Sequence, residues 1–150
     1  MKLFYKLNDN YNQNDIVKYN DNSFGARNVF FDFQIFLSSS RTITLNFDTY
    51  SQKCVSCEGY LLLNKKLKYE NIKIDNYMNG ELKIELSEIE KERTCAEYLL
   101  DETIIFDHLN SRVCFGRITD CLIRFGKSQY ASFFNGKLIG IILEFSSISN

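Results

Sequence analysis

The sequence contains no proline and no tryptophan, and glycine accounts for only seven of its 150 residues. Without proline, tight turns must be made by glycine, asparagine, aspartate and serine. No stretch approaches the roughly 18 consecutive apolar residues that a membrane-spanning helix needs. Residues 1–15 also lack the apolar centre of a secretory signal. We therefore expect a cytoplasmic protein that makes no contact with a membrane.

Histidine occurs only once, so any Ser-His-Asp or Cys-His catalytic arrangement would have to use His108. This residue lies in FDHLNS, which is typical of a strand end followed by a turn, where an exposed histidine needs no chemical role. The run at residues 126–128, GKS, resembles the end of a phosphate-binding loop, but Cys121 stands where that motif requires its first glycine. No local acidic motif indicates a magnesium site. We predict no catalytic and no cofactor-binding residues, and hence no enzyme.

Five cysteines are present, and two of them, Cys54 and Cys57, have the spacing of half a zinc site or of a redox pair. A structural zinc ion needs four ligands, and the other cysteines and His108 follow at no recognised spacing. A redox pair should open a helix that lowers a thiol pKa, whereas GYLLL after Cys57 predicts a strand. We expect reduced thiols on a strand and no metal site.

Basic residues are few in any one place, and the net charge is −1 with a pI of about 5.9. In the most basic run, NKKLKYENIK, the charges alternate with leucine and tyrosine, as on an ordinary exposed strand face. Binding of nucleic acid depends on a dense set of Lys and Arg that neutralises phosphates. We therefore predict no nucleic-acid partner.

Aromatic residues are plentiful, with 13 Phe and 9 Tyr, and they favour half-buried strands. In NVFFDFQIFL, apolar residues alternate with more polar ones from Val29 to Leu37, a turn is predicted at residues 38–40, and RTITLNFD repeats the alternation. Asn135 and Gly136 predict a type I′ hairpin turn. We predict a hairpin-rich, mainly antiparallel sheet of about eight strands.

One helix is predicted near residues 87–101. Ser87 and Glu90 have the spacing of a capping box, and Ile89, Ala96 and Leu100 share one face of a helix. With this helix beside the sheet, the predicted class is α+β, in a single globular domain spanning residues 1–150.

Acidic residues are concentrated in the middle of the chain. Residues 81–107 contain nine acidic and three basic residues, whereas the flanking segments are near neutral or basic. On a helix, Glu97 and Asp101 would repel each other and would lie at the end where the helix dipole disfavours negative charge. Simple solvated surface is one interpretation. The other is a docking surface for a basic partner, with these partner-binding residues: Glu85, Glu88, Glu90, Glu92, Glu97, Asp101 and Glu102.

In its general character and its acidic run ELKIELSEIEKERTCAEYLLDE, the chain resembles bacterial immunity proteins, including those paired with contact-dependent growth-inhibition toxins. The resemblance implies a toxin inhibitor that acts by protein–protein interaction, covering the active site of one cognate toxin, a basic nuclease. The acidic surface would attract the toxin, and aromatic side chains or an edge strand would anchor it.

Two other functional classes stay open. One is a small-ligand-binding or enzymatic β-barrel, in which the aromatic residues line a cavity. The other is a structural or phage accessory subunit, which would form stable homo-oligomers. The sequence itself leaves the oligomeric state undetermined.

Overall fold

Strands make up almost all of the regular structure. The computed structural model describes residues 1–9, 18–20, 23–25, 30–37, 43–60 and 67–145, so Val29 and the turn predicted at residues 38–40 lie outside the described residues. The strands are β1 (Lys2–Leu7), β2 (Lys18–Asn20), β3 (Ser23–Gly25), β4 (Phe33–Leu37), β5 (Ile43–Asp48), β6 (Lys53–Tyr60), β7 (Leu67–Tyr69), β8 (Met78–Glu85), β9 (Cys95–Tyr98), β10 (Ile104–Asp107), β11 (Arg112–Gly116), β12 (Cys121–Gly126), β13 (Gln129–Phe134) and β14 (Lys137–Glu144).

The predicted α+β class is wrong, because the structure is nearly all β, with 61% strand and 3% helix. In place of about eight strands, the described residues form fourteen in one sheet, and eleven of these follow one another in a curled half-barrel. None of the helical structure among the described residues is long and apolar enough to cross a membrane.

A single 3-10 turn, Glu90–Glu92, and strand β9 replace the helix predicted near residues 87–101. Ala96 and Leu100, four residues apart, fit both the period of a helix and the two-residue period of a strand. Tyr98, between them, would face the other way on a helix, yet it packs against the core with both. Ile89, predicted to face the core, is 71% exposed. Pairing of β9 with β4 therefore outweighs the local helix signal.

Two predicted hairpins form where the pattern indicates them. Strands β4 and β5 pair antiparallel, with Ile35 opposite Leu45 and both side chains fully buried. Asn135 and Gly136, between β13 and β14, have φ of 49° and 74°. Positive φ at both central residues is what a type I′ turn requires, so this turn prediction is confirmed.

The order of strands along the sheet is β7-β10-β11-β14-β13-β12-β8-β6-β5-β4-β9, while β1 pairs with β8, and β3 pairs with β6 and β2. Three neighbouring pairs are parallel, namely β4 with β9, β7 with β10, and β8 with β12. These parallel pairs join strands that are distant in sequence. Hairpin signals predict pairing only between consecutive strands, so they could not predict these pairs.

Strand β8 divides the sheet into a first half, from β6 to β9 with β1 to β3 attached, and a second half, from β12 to β7. Residues 78–79 of β8 pair with β12, and residues 80–85 pair with β1. A Cβ atom on Gly80 would lie only 2.8 Å from the carbonyl oxygen of Lys6 and 2.9 Å from Cγ2 of Ile123. Glycine is therefore what lets β1 and β12 approach the same strand.

Both halves turn their inner faces toward one hydrophobic core. The largest fully buried side chains of this core come from both: Phe33, Ile35, Leu37, Ile43, Leu45, Phe47, Leu82, Ile84, Ile123 and Phe133. Aromatic rings meet across it, with Tyr5 4.8 Å from Phe133 and Phe24 6.0 Å from Phe115 between ring centroids. Burial of this apolar surface is the main force that holds the curl closed.

Residues 70–77 cover the outer face of the second half. Ile72 packs there on a smaller apolar cluster of Cys114, Leu122, Tyr130 and Ile142. The N–H of Ile72 donates to Asp107 (2.8 Å), and its carbonyl accepts from Arg112 (2.8 Å). Burial would raise the pKa of Asp107, but hydrogen bonds from Asn110 and Ile72 outweigh it and keep that pKa below its ordinary value. The segment is thus fixed at its midpoint by an ionised carboxylate.

One side-chain hydrogen bond joins the end strand of the first half to the second half. The hydroxyl of Tyr98 on β9 donates to the carbonyl oxygen of Leu138 on β14, at 2.8 Å and partly buried. We predict that Tyr98→Phe lowers the free energy of unfolding by about 1 kcal/mol, because the buried carbonyl loses its partner. Urea denaturation measures this. The control is Tyr50→Phe, since Tyr50 is 97% exposed, and an unchanged midpoint for Tyr98→Phe would contradict the prediction.

Candidate functional site

The predicted partner-binding carboxylates lie along one continuous stretch, residues 85–102, which we call the acidic segment. It begins at the end of β8 with Glu85, passes through the 3-10 turn, continues as β9 with Glu97, and reaches the link to β10 with Asp101 and Glu102. The structure therefore spreads the carboxylates over a strand end, a turn, an edge strand and a loop. Because no helix forms here, Glu97 and Asp101 neither repel each other at helical spacing nor oppose a helix dipole.

A capping box does form at the start of the acidic segment, although only one turn follows it. The N–H of Ser87 donates to Glu90 Oε2 at 3.0 Å, and the N–H of Glu90 donates to Ser87 Oγ at 3.3 Å. The amino group of Met1 lies 2.7 Å from Glu90 Oε1. Hydrogen bonds from that amine and from the N–H of Ser87 lower the pKa of Glu90 below its ordinary value. Glu90 thus shapes the turn as an ionised carboxylate, and the amino group of Met1 offsets part of its charge.

Asp101 also has a local structural role. It accepts hydrogen bonds from the hydroxyl of Thr103 at 2.7 Å, from the N–H of Thr103 at 3.0 Å, and from Arg117 Nε at 3.0 Å. These contacts lower the pKa of Asp101 to about 2. Glu88 similarly pairs with Lys91 at 3.0 Å. Glu88, Glu90 and Asp101 therefore have in-chain cations beside them, which weakens their attraction for a partner.

Six of the seven predicted carboxylates are exposed, and Glu90 is half-buried. Two large apolar side chains lie exposed among them, Ile89 at 71% and Leu99 at 75%. Ile89 was predicted to share the core face of a helix with Ala96 and Leu100, so its exposure is a correction. The exposure of one leucine could have been predicted from the adjacent pair Leu99 and Leu100. Adjacent residues of a strand face opposite ways, so only one of the two can face the core.

Strand β9 is the last strand on its side of the sheet. It pairs in parallel with β4, from Gln34 opposite Cys95 to Leu37 opposite Tyr98, and with no other described strand. Cys95 and Glu97 are exposed along it, and Leu99 follows directly. The acidic segment and a sheet edge are therefore the same piece of chain, and sheet edges are common sites of protein association.

A groove of about 300 Å³ lies beside the acidic segment, lined by Thr49, Tyr50, Gln52, Ile84, Leu86 and Lys91. One wall is the turn between β5 and β6, in which Asp48 accepts hydrogen bonds from the N–H of Tyr50 (3.2 Å) and the hydroxyl of Ser51 (2.9 Å). The N–H of Ile84 donates to the carbonyl of Gln52 at 2.9 Å and joins that turn to β8. Tyr50, between Thr49 and Ser51, was not among the predicted site residues, although tyrosine is not one of the residues that favour turns.

The residues considered for other chemistry lie apart from this groove. Cys54 and Cys57 are both buried, because the register of β6 shifts at Phe47 and Cys54 and turns both thiols inward. Burial raises the pKa of Cys114 to about 12. Within the described ranges, no three His, Cys, Asp or Glu side chains come together as metal ligands. His108 is exposed beside Phe106, with ring centroids 5.8 Å apart.

Comparison with known proteins finds no match, either to a family model or to a curated protein sequence. The geometry of the acidic segment and its groove must therefore carry any functional argument.

We predict that Asp101→Asn destabilises the protein at neutral pH and not at low pH. Because the pKa of Asp101 in the folded protein, about 2, is below its ordinary value of 3.8, the ionised carboxylate stabilises the fold above pH 3.8 and this stabilisation is lost as the pH falls through 2. Urea midpoints of both proteins between pH 7 and pH 2 measure the effect. Glu92→Gln, in the same segment, is the control and should match wild type throughout. A difference that stays constant down to pH 2 would contradict a role for the charge.

Proposed function

We propose that this protein is a bacterial immunity protein of the cytoplasm, without enzymatic activity, that binds and neutralises a basic toxin, a nuclease of the kind used in contact-dependent growth inhibition. One observation carries the proposal: two large apolar side chains are exposed within the acidic segment, Ile89 before its 3-10 turn and Leu99 directly after β9, the last strand of the sheet. Exposed apolar side chains with a polar rim are typical of a surface that a partner covers, and the acidic excess of this rim, seven acidic against two basic residues in 85–102, favours a basic partner.

Electrostatics supplies attraction over a distance. A nuclease surface is basic because it must hold phosphates, and the acidic segment offers Glu85, Glu92, Glu97 and Glu102 as exposed negative groups. Complementary charge speeds diffusional encounter and rejects acidic proteins, while it adds less to the final affinity. These carboxylates therefore account for selection of a basic partner.

Apolar anchors supply the affinity. In protein interfaces a few well-buried residues carry most of the binding energy, and polar neighbours around them exclude water. Leu99 and Ile89 have the required exposure in the free protein, and their carboxylate neighbours form a polar rim. A partner that buries Leu99 would also lie along the edge of β9, within reach of its backbone.

The alternative of a small-ligand or enzymatic β-barrel has less support. That function requires aromatic side chains around a cavity with converging polar groups. The large aromatic residues Phe33, Phe47 and Phe133 instead fill the core. A surface pocket of about 390 Å³ is lined by Leu7, Asn8, Asp9, Met78 and Asn79, and none of these described residues is aromatic. An accessory subunit stays the other alternative, and stable homo-oligomers in size-exclusion chromatography would favour it.

The first test is to identify the partner and to measure how fast it binds. Tagged protein should recover a basic protein from source-cell lysate at physiological salt. With that partner, Glu92→Lys/Glu97→Lys should lower the association rate constant by about tenfold in low salt and by less in high salt, because steering is screened. Stopped-flow fluorescence measures both rates.

Asp75→Lys/Asp120→Lys is the matched control, since both carboxylates are exposed, lie outside the acidic segment and change the net charge equally. Recovery of no basic protein would overturn the proposed function. Equal slowing by the two double variants would assign the effect to net charge alone and overturn the docking surface.

A second prediction concerns the anchor. Leu99→Ala should raise the Kd of the complex by about 5- to 30-fold, mainly through faster dissociation, as expected for loss of a central apolar contact. Surface plasmon resonance at fixed salt measures this. The control is Leu109→Ala at the turn between β10 and β11, where the leucine is 84% exposed but lies away from the acidic segment. Equal effects of the two substitutions would argue against Leu99 as an anchor.

A further inference from the structure

The turn between β13 and β14 exposes a chemically reactive pair of residues. Asparagine followed by glycine occurs twice in the chain, at Asn79 and Gly80 and at Asn135 and Gly136. In such a pair the backbone nitrogen of glycine can attack the side-chain amide carbon of asparagine, because glycine has no Cβ atom to hinder the approach. The attack requires that the backbone between the two residues can turn and that the nitrogen is not held in a ladder.

Asn135 and Gly136 meet these requirements, because they form the whole of an exposed two-residue turn. Both residues are exposed, with φ of 49° and 74°. A Cβ atom on Gly136 would meet no other atom within 4 Å, so the turn has open space around it. Phe134 and Lys137 are the last paired residues of the two strands, and in a type I′ turn the N–H of the second central residue lies outside the ladder. The nitrogen of Gly136 is therefore accessible.

Asn79 and Gly80 lie inside β8, with other strands on both sides. The carbonyl oxygen of Asn79 accepts a hydrogen bond from the N–H of Asn8 at 3.1 Å, and β12 pairs with the same residues of β8 from the other side. Gly80 is buried between Lys6 and Ile123. Reaction at Asn79 therefore requires local opening of the sheet, which costs free energy.

We propose that Asn135 is a site of spontaneous deamidation and that the fold protects Asn79 from the same reaction. The nitrogen of Gly136 bonds to Cγ of Asn135, the side-chain amide leaves as ammonia with the proton of that nitrogen, and a cyclic succinimide forms. Water then opens the ring at either carbonyl carbon and gives aspartate or isoaspartate at position 135. The new carboxylate adds one negative charge at neutral pH. The reaction needs no partner, so it is independent of the proposed function.

The two products affect the hairpin differently. Aspartate followed by glycine also favours a type I′ turn, so the aspartate form keeps the hairpin. Isoaspartate adds a carbon atom to the main chain of the turn and strains the closing pair of Phe134 and Lys137. This strain lies next to Leu138, whose carbonyl accepts the hydrogen bond from Tyr98 on β9. Isoaspartate at position 135 therefore weakens a contact that holds the strand of the acidic segment.

The test is to age the intact protein at mildly alkaline pH and to measure deamidation by mass spectrometry after trypsin digestion. The two asparagines fall in separate peptides, residues 74–83 and 128–137. In the folded protein Asn135 should react at least about tenfold faster than Asn79, because reaction at Asn79 must wait for local opening. In concentrated urea the two rates should converge. Equal rates in the folded protein, or a difference that persists in urea, would overturn the proposal.

Asn135→Gly is the matched variant, because two glycines also support a type I′ turn and supply no side-chain amide. The acidic form that accumulates in aged wild-type protein on anion-exchange chromatography should be absent from this variant. Asn76→Ser, at an exposed asparagine followed by tyrosine, is the control and should age like wild type. Accumulation of the same acidic form by Asn135→Gly would overturn Asn135 as the site.

The separated products test the effect on the hairpin. The aspartate form should have the urea midpoint of Asn135→Asp, and the isoaspartate form should have a lower one. Equal midpoints of the two forms would overturn the strain at the turn.

Discussion

Burial of alternate residues on the inner face of one curled sheet is the constraint on which the rest of the structure depends. The strands that line the shared core send mainly alternate side chains into it, and the neighbours of those residues in sequence face outward. The two-residue period extends through β9 to Leu100, so Ala96, Tyr98 and Leu100 turn inward. Leu99 is exposed for the same reason, and the proposed binding surface is therefore a by-product of how the core is filled.

Much of the sheet could be predicted from the sequence, because alternation and turn chemistry are local signals. The pair of β4 and β5 and the turn at Asn135 and Gly136 are examples. The parallel pairs could not be predicted, since partners such as β4 and β9 are far apart in sequence and no local signal marks them. The helix prediction failed because Ala96 and Leu100 fit two periods at once, and only the tertiary position of Tyr98 separates them.

The candidate site could be predicted in part. The excess of acidic residues in the middle of the chain was visible in the sequence, and the structure places these residues along one stretch of chain. The capping role of Glu90 was visible from its spacing to Ser87. The role of Asp101, which organises the loop to β10 through Thr103 and Arg117, was not. Such roles depend on the geometry of single turns, which the sequence pattern does not determine.

The parallel pairing of β9 with β4 also ties the acidic edge to a distant part of the chain. Residues 95–98 must find residues 34–37, and closing a loop of that length carries an entropic cost that the contacts of the folded sheet must offset. Strand β9 lies at the end of the sheet and pairs with no described strand other than β4. The acidic edge therefore has this form only while β4 keeps its place beside β5, so a substitution in that distant hairpin would alter the edge without touching it.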